Sequence, residues 1–303
     1  MISLRQHAIS LIAVFLALAV GLALGSGFLG DRVGSSDDDS TVSGLRSEKD
    51  ALSGQVNAAD AFNTAVAPRL LNGLLANRSV LLVTVPGASE GDIAGVKQVL
   101  NQSGARFAGQ VGLTDALIGD GSAEKLTSIV DQSIPAGTTL RPELTDSGGR
   151  VGDLLGALLQ RKGDAAPASD ADIGAGLAAL RQGGFITYVD NAVGPAQLAV
   201  VVTGDKFADD AGARGQVVAR FAAAFGARGS GAVLAGRTGS AEGGSPIAVL
   251  RSDASLSRGV SSVDDVEAST GRIVTALALA NAARNRVGAF GTGPGASAVA
   301  PTT

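Results

Sequence analysis

The stretch Ala8–Leu29, AISLIAVFLALAVGLALGSGFL, constrains this chain more than any other. It carries no charge and no proline, and its only hydroxyl side chains are Ser10 and Ser26. As an α-helix it is about 33 Å long, enough to cross a hydrocarbon core of about 30 Å. From Asp31 onward the sequence is polar, glycine-rich and patterned like a water-facing domain. The expectation is a single-pass transmembrane helix over residues 8–30 with one large domain on one side. A cleaved signal peptide is the competing reading; its apolar region ordinarily runs about 7–15 residues, although Ala23 and Gly25 do offer a small pair here. Arg5 and the N-terminal amine assign the short tail, residues 1–7, to the cytoplasm and residues 31–303 to the outside. Ala13, Ala17, Gly21 and Gly25 recur every fourth residue. That spacing forms one stripe on which a second backbone can approach closely, a candidate helix-dimer face. The alternative is that abundant alanine and glycine fall into this spacing by composition alone.

What the chain lacks excludes whole classes of chemistry. It has no Cys, its only Met is Met1 and its only His is His7. Thiol nucleophiles, a Ser–His–Asp set in the outer domain and a standard structural zinc site are therefore excluded. Soft ligands for copper are absent from the outer domain for the same reason. The net charge is −4, and no run of basic residues stands out along the sequence. Nucleic acid is not an expected partner, and neither is an anionic lipid surface for the outer domain.

Residues 31–75 read as a linker and stalk. Gly34–Thr41, GSSDDDST, is expected to be a flexible charged spacer. After it, Leu45, Leu52, Ala59 and Val66 recur at seven, with Leu52–Val56 and Phe62–Val66 as i, i+4 pairs. This predicts a helix that either forms a short parallel coiled coil or packs on the domain, with Pro68 interrupting it.

Residues 76–290 alternate apolar runs with amphipathic segments. Strands are expected at Ser79–Val85, Ala105–Leu113, Phe185–Tyr188, Ala199–Thr203, Gly231–Ala235, Pro246–Leu250 and Val287–Phe290. Helices are expected between them, and Gly236–Ser245 is read as a surface loop. The fold class is α/β: a transmembrane helix, a short coiled-coil stalk, then a mostly parallel sheet with helices on both faces. Residues 291–303 are expected to be a disordered tail. The default site is the set of loops following the strands: Pro86–Gly91, Asp190–Gly194, Gly204–Lys206 and Arg237–Gly244. Asp264, Asp265 and Glu267 form a further candidate, a polar loop able to receive a hard cation or to cap the next helix. No nucleophile–base set emerges, so no enzyme is expected.

Met1–Gly30, MISLRQHAISLIAVFLALAVGLALGSGFLG, with Leu45–Arg46–Ser47–Glu48–Lys49, resembles the start of the mycobacterial copper transporter family MctB. Ser262–Val263–Asp264–Asp265–Val266, then Gly271–Arg272 and an alanine–leucine helix, resemble its C-terminal region. The resemblance implies a channel-forming protein of the actinobacterial outer membrane that keeps intracellular copper low, with copper ions as cargo. Homo-oligomers and a lipid membrane are its expected partners. A membrane barrel requires strands of about ten residues with aromatic girdles. This chain has one Tyr and no Trp, so a location in the inner membrane is equally compatible with its residues. No residue is carried over as a metal ligand, and no cofactor is expected. The resulting expectation is a cell-envelope copper efflux protein that contributes to copper resistance. The alternative is a membrane-anchored, non-enzymatic scaffold.

Overall fold

The structure, a computed structural model, describes residues 38–163 and 165–302. The expected tail 1–7 and membrane span 8–30, with Ala13, Ala17, Gly21 and Gly25, lie outside the described residues. No helix among the described residues is long and apolar enough to cross a membrane. The chain divides into two units, Met1–Val56 and Asn57–Thr303.

Helix α1, Asp38–Leu71, begins inside the expected spacer. In the first unit it exposes Leu45, Leu52 and Val56. It also runs through Pro68 without a break. That proline stands in the last turn, where the missing N–H costs one hydrogen bond and its ring needs only one preceding turn to adjust.

The second unit is built on a seven-stranded sheet of order β3-β2-β1-β4-β5-β6-β7. Strand β1 is Ser79–Thr84, β2 Arg106–Leu113, β3 Ile186–Tyr188 and β4 Leu198–Val202. Strand β5 is Gly231–Gly236, β6 Ser261–Asp264 and β7 Ala289–Gly291. Every neighbouring pair is parallel except β2–β3. The continuous apolar runs of β1 and β4 follow from burial on both faces. Val80, Leu82, Leu198 and Val200 join a core with Ile93, Val96, Val274 and Leu279. Leu81, Val83, Ala199 and Val201 point the other way, into a core with Leu154, Leu158, Phe221 and Phe225.

The first of these layers comes from α2, Glu90–Gln102, and later α10, Ser269–Ala282. The opposite layer includes α5, Ser147–Leu159, and α7, Arg214–Gly226. Between β2 and α5 lie the short α3, Asp115–Ile118, and α4, Ala123–Gln132. Helix α6, Asp170–Gln182, leads into β3, and α8, Pro246–Ser252, and α9, Ala254–Ser257, precede β6. Side-chain caps start four of them: Ser89 accepts from Asp92 N, Asp146 from Gly149 N, Ser169 from Asp172 N and Asp253 from Ser255 N.

Helices α5 and α7 pack closely because Gly148, Gly152 and Gly156 line one stripe of α5. A Cβ at Gly152 would stand 2.6 Å from the Phe221 carbonyl oxygen, and one at Gly156 2.7 Å from Arg228 Cγ. The every-fourth small residue, read in the apolar N-terminal stretch as a dimer face, thus also serves helix packing inside the water-facing unit.

Four expectations are corrected. Pro246–Leu250 is helix α8, not a strand, because Pro246 at the first helical turn presets φ and needs no N–H partner. Ser261–Asp264, absent from the expected strands and ending in the expected polar loop, is interior strand β6. Its serines are buried polar groups satisfied across the sheet, with Ser261 Oγ accepting from Gly288 N at 3.2 Å. Gly236–Ser245 is not a free surface loop: Ser240, Ala241 and Ser245 are buried. The tail folds back on β7, with Ser297 N donating to Ala289 O at 2.8 Å and Gly291 N to Ala298 O at 3.0 Å.

Candidate functional site

The strand order reverses between β1 and β4, and the loops leaving their C-terminal ends splay apart there. The resulting open groove has a volume of about 600 Å³. Pro86 and Gly87 follow β1, Asp115 follows β2, and Gly204, Asp205 and Lys206 follow β4. Close approach of two loops makes the floor: a Cβ at Gly204 would collide with the Gly87 carbonyl. The two cations of the groove pair with carboxylates. Lys206 Nζ lies 3.8 Å from Asp209 and 3.9 Å from Glu242, and Arg214 lies 3.7 Å from Asp115. No Ser, Thr, Tyr, Cys or His lines the groove; its polar side chains are Asp115, Asp205, Lys206, Asp210 and Arg214.

Of the four expected loops, Pro86–Gly91 and Gly204–Lys206 meet in this groove, and Arg237–Gly244 reaches its rim through Glu242. Asp190–Gly194 does not join them. Strand β3 is antiparallel, so the chain leaving it runs toward the opposite edge, where Gly194 N bonds Ala108 O at 2.8 Å.

Beside the groove, a buried carboxylate ties two helices and the loop after β5 together. Asp92, in the first turn of α2, lies 2.7 Å from Arg237 Nε and 3.4 Å from Arg272 Nη2. Burial alone would raise its pKa, but the hydrogen bonds of Arg237 and Ser89 and the charges of both arginines hold it below the ordinary carboxylate value. Neither arginine stands out in the sequence, because the three residues are far apart along the chain.

The residues Asp264, Asp265 and Glu267 separate into three roles. Asp264 ends β6 rather than lying in a loop and is fully buried. Its Oδ1 accepts from Thr292 N at 2.8 Å and Gly293 N at 2.7 Å, and its Oδ2 lies 2.5 Å from Arg251 Nη1. Arg251 also donates to Ser262 Oγ, Pro294 O and Phe290 O. The pair therefore fastens α8 and the C-terminal segment to β6. Glu267 is exposed and accepts from Thr238 N and Thr238 Oγ1 at 3.2 and 2.8 Å.

Asp265 is the unusual member. Its φ is +116°, it is 7% exposed, and its Oδ1 has no hydrogen-bond partner. Burial, then the charges of Asp264 and Glu267, push its pKa up to about 7, with Arg251 opposing. Both its N–H and that of Val266 bond the single carbonyl of Gly236, which fixes the turn. No group of three or more His, Cys, Asp or Glu among the described residues is arranged to hold a metal ion.

A family model described as "Copper transport outer membrane protein, MctB" matches residues 1–301. The chain is 46% identical over 310 residues to a protein named "Copper transporter MctB" from Mycobacterium tuberculosis (strain ATCC 25618 / H37Rv), covering 99% of each chain. The protein of the same name from Mycobacterium bovis has the same identity and coverage. The one from Mycobacterium leprae is 43% identical over 321 residues, again covering 99% of each chain. With the match running through the anchor-like N-terminus, the sheet and the Arg251–Asp264 clasp alike, the chain belongs to the MctB family of copper transport proteins.

Proposed function

We propose that this chain works in copper transport across a cell envelope, as an efflux component that lowers intracellular copper. The observation that carries this reading is the match to proteins named copper transporters along 99% of both chains. The α/β unit acts in it as a non-enzymatic module. Copper passes as cargo over hard oxygen ligands, because no Cys is present and the only Met and His are Met1 and His7. Residues 8–30 anchor the chain by a single pass. The family description favours the outer membrane, and the single apolar stretch fits an inner membrane equally well. A second copy covers Leu45, Leu52 and Val56, forming a short coiled coil.

One observation favours a second reading, an anchored scaffold: Lys206 and Arg214 in the groove pair with carboxylates, and no soft ligand for copper lines it. Cell-associated copper separates the two. A deletion strain grown with added copper accumulates more of it, and restoring the gene reverses the rise, if the chain transports copper. Unchanged copper in the deletion strain leaves the scaffold.

A further inference from the structure

We infer that the N-terminal edge of the sheet is a docking face for anionic phospholipid headgroups. The cations that make it are scattered along the sequence, which is why none forms a run. Arg78 and Arg106 meet where β1 and β2 begin, with Arg106 N bonded to Arg78 O at 2.8 Å. Lys162 and Arg258 line one groove of about 540 Å³ with Gly229, Ser230 and Val287, below the starts of β5 and β6. Arg284 and Arg286 follow α10 and precede β7. Among the described residues none of these six side chains has an ion-pair partner, whereas the acidic side chains Asp92, Asp115, Asp205, Glu242 and Asp265 stand at the opposite edge, after the strands. The inference runs against the expectation, drawn from the chain's charge, that the domain avoids an anionic surface.

The net charge of −4 does not prevent such contact. A strand of six residues holds the two edges about 20 Å apart, roughly two screening lengths at physiological salt. Each edge is therefore felt by a nearby surface largely on its own. Arginine is suited to phosphate because its planar fork donates two parallel hydrogen bonds.

Two features favour a lipid surface over a nucleic acid or an acidic protein. The cations follow a broad edge rather than a groove that tracks one strand. Two apolar side chains also stand exposed among them, Phe107 at 43% beside Arg106 and Val287 at 38% beside Arg286. Basic residues interspersed with exposed apolar ones match the charged and hydrocarbon layers of an interface.

The test uses the full chain held in phosphatidylcholine nanodiscs and floated with vesicles at about 0.1 M salt. Vesicles with about a third phosphatidylglycerol should capture it, and pure phosphatidylcholine vesicles should not. The triple variant Arg258→Gln, Arg284→Gln, Arg286→Gln should weaken capture about a hundredfold, since each cation near such a surface contributes about fivefold. The corresponding triple lysine variant should retain most of it, and Arg181→Gln, far from this edge, all of it. Because these side chains are exposed, a thermal melt of each variant should match the parent. Equal capture by both kinds of vesicle, equal capture of parent and triple glutamine variant, or capture of duplex DNA or polyglutamate without vesicles overturns the inference.

Discussion

Replacing Asp265 with asparagine should change how the stability of this protein depends on pH. The side chain is 7% exposed with an unpartnered Oδ1, and its pKa stands at about 7 against an ordinary 3.8. Between those two values the folded protein keeps a proton that the unfolded chain has already released. The contribution of Asp265 to stability is therefore full below pH 4, falls as pH rises through the window, and levels off above pH 7. The loss by pH 8 is at most about 4 kcal/mol, at about 1.4 kcal/mol for each tenfold change in proton affinity. Asparagine tolerates a positive φ, keeps the shape and carries no charge, so the variant should lack this slope. Asp92 and Asp153 are both held below the ordinary carboxylate value, so they titrate beneath the window and do not obscure it. Circular dichroism is the suitable probe, since the chain has one Tyr and no Trp. Thermal melts of the full parent and variant chains should agree near pH 4 and diverge to about 10 °C by pH 8, with the variant higher. Parallel curves from pH 4 to pH 8 would refute the reasoning.

Other perturbations test separate parts of the structure. Arg251→Ala leaves Asp264 buried without its partner, which should cost about 3–5 kcal/mol, and hydrogen exchange across residues 289–298 should rise with it. Gly152→Ala places a Cβ against the Phe221 carbonyl oxygen and should cost about 1–3 kcal/mol by denaturant unfolding; an unchanged midpoint would mean that α5 and α7 are not held this closely. Arg228→Ala removes the guanidinium that bonds both oxygens of Asp153 at 2.6 and 2.8 Å. Arg141 still pairs with that carboxylate, so the expected loss is smaller, about 2 kcal/mol. If the exposed stripe of the first unit holds a second copy, Leu45→Asp with Leu52→Asp should turn a dimeric mass in neutral detergent into a monomeric one.

Much of the sheet was legible along the chain. A strand buried on both faces is usually a near-continuous apolar run, so SVLLVT and LAVVV declare β1 and β4 without tertiary information. Strand β6 was not legible, because SSVD reads as a polar turn until Arg251 and Gly288 N supply its partners. The helix Pro246–Ser252 was missed for a related reason: seven residues are too few for period to separate helix from strand, and only the proline at its start marked it. Of the site, the loops after β1 and β4 could be foreseen as loops following parallel strands, whereas the antiparallel turn of β3, which removes Asp190–Gly194 from the groove, could not.

By itself the sequence determined which chemistry is closed to this protein. With no Cys and a single Met and His, both before residue 8, no folding of residues 31–303 can create a soft copper site or a thiol nucleophile. It also determined family, because identity along the whole chain does not depend on shape. Tertiary structure alone decided what the charges do. Asp264 and Asp265 are adjacent in sequence, yet one is clasped by Arg251 and the other is buried with an orphaned oxygen. Six cations from distant segments come to one edge because parallel strands gather every crossover's end on the same side. The physical reason is common to both: a side chain's charge is written in its chemistry, but its worth depends on distance and on the water left around it, and only the fold sets those.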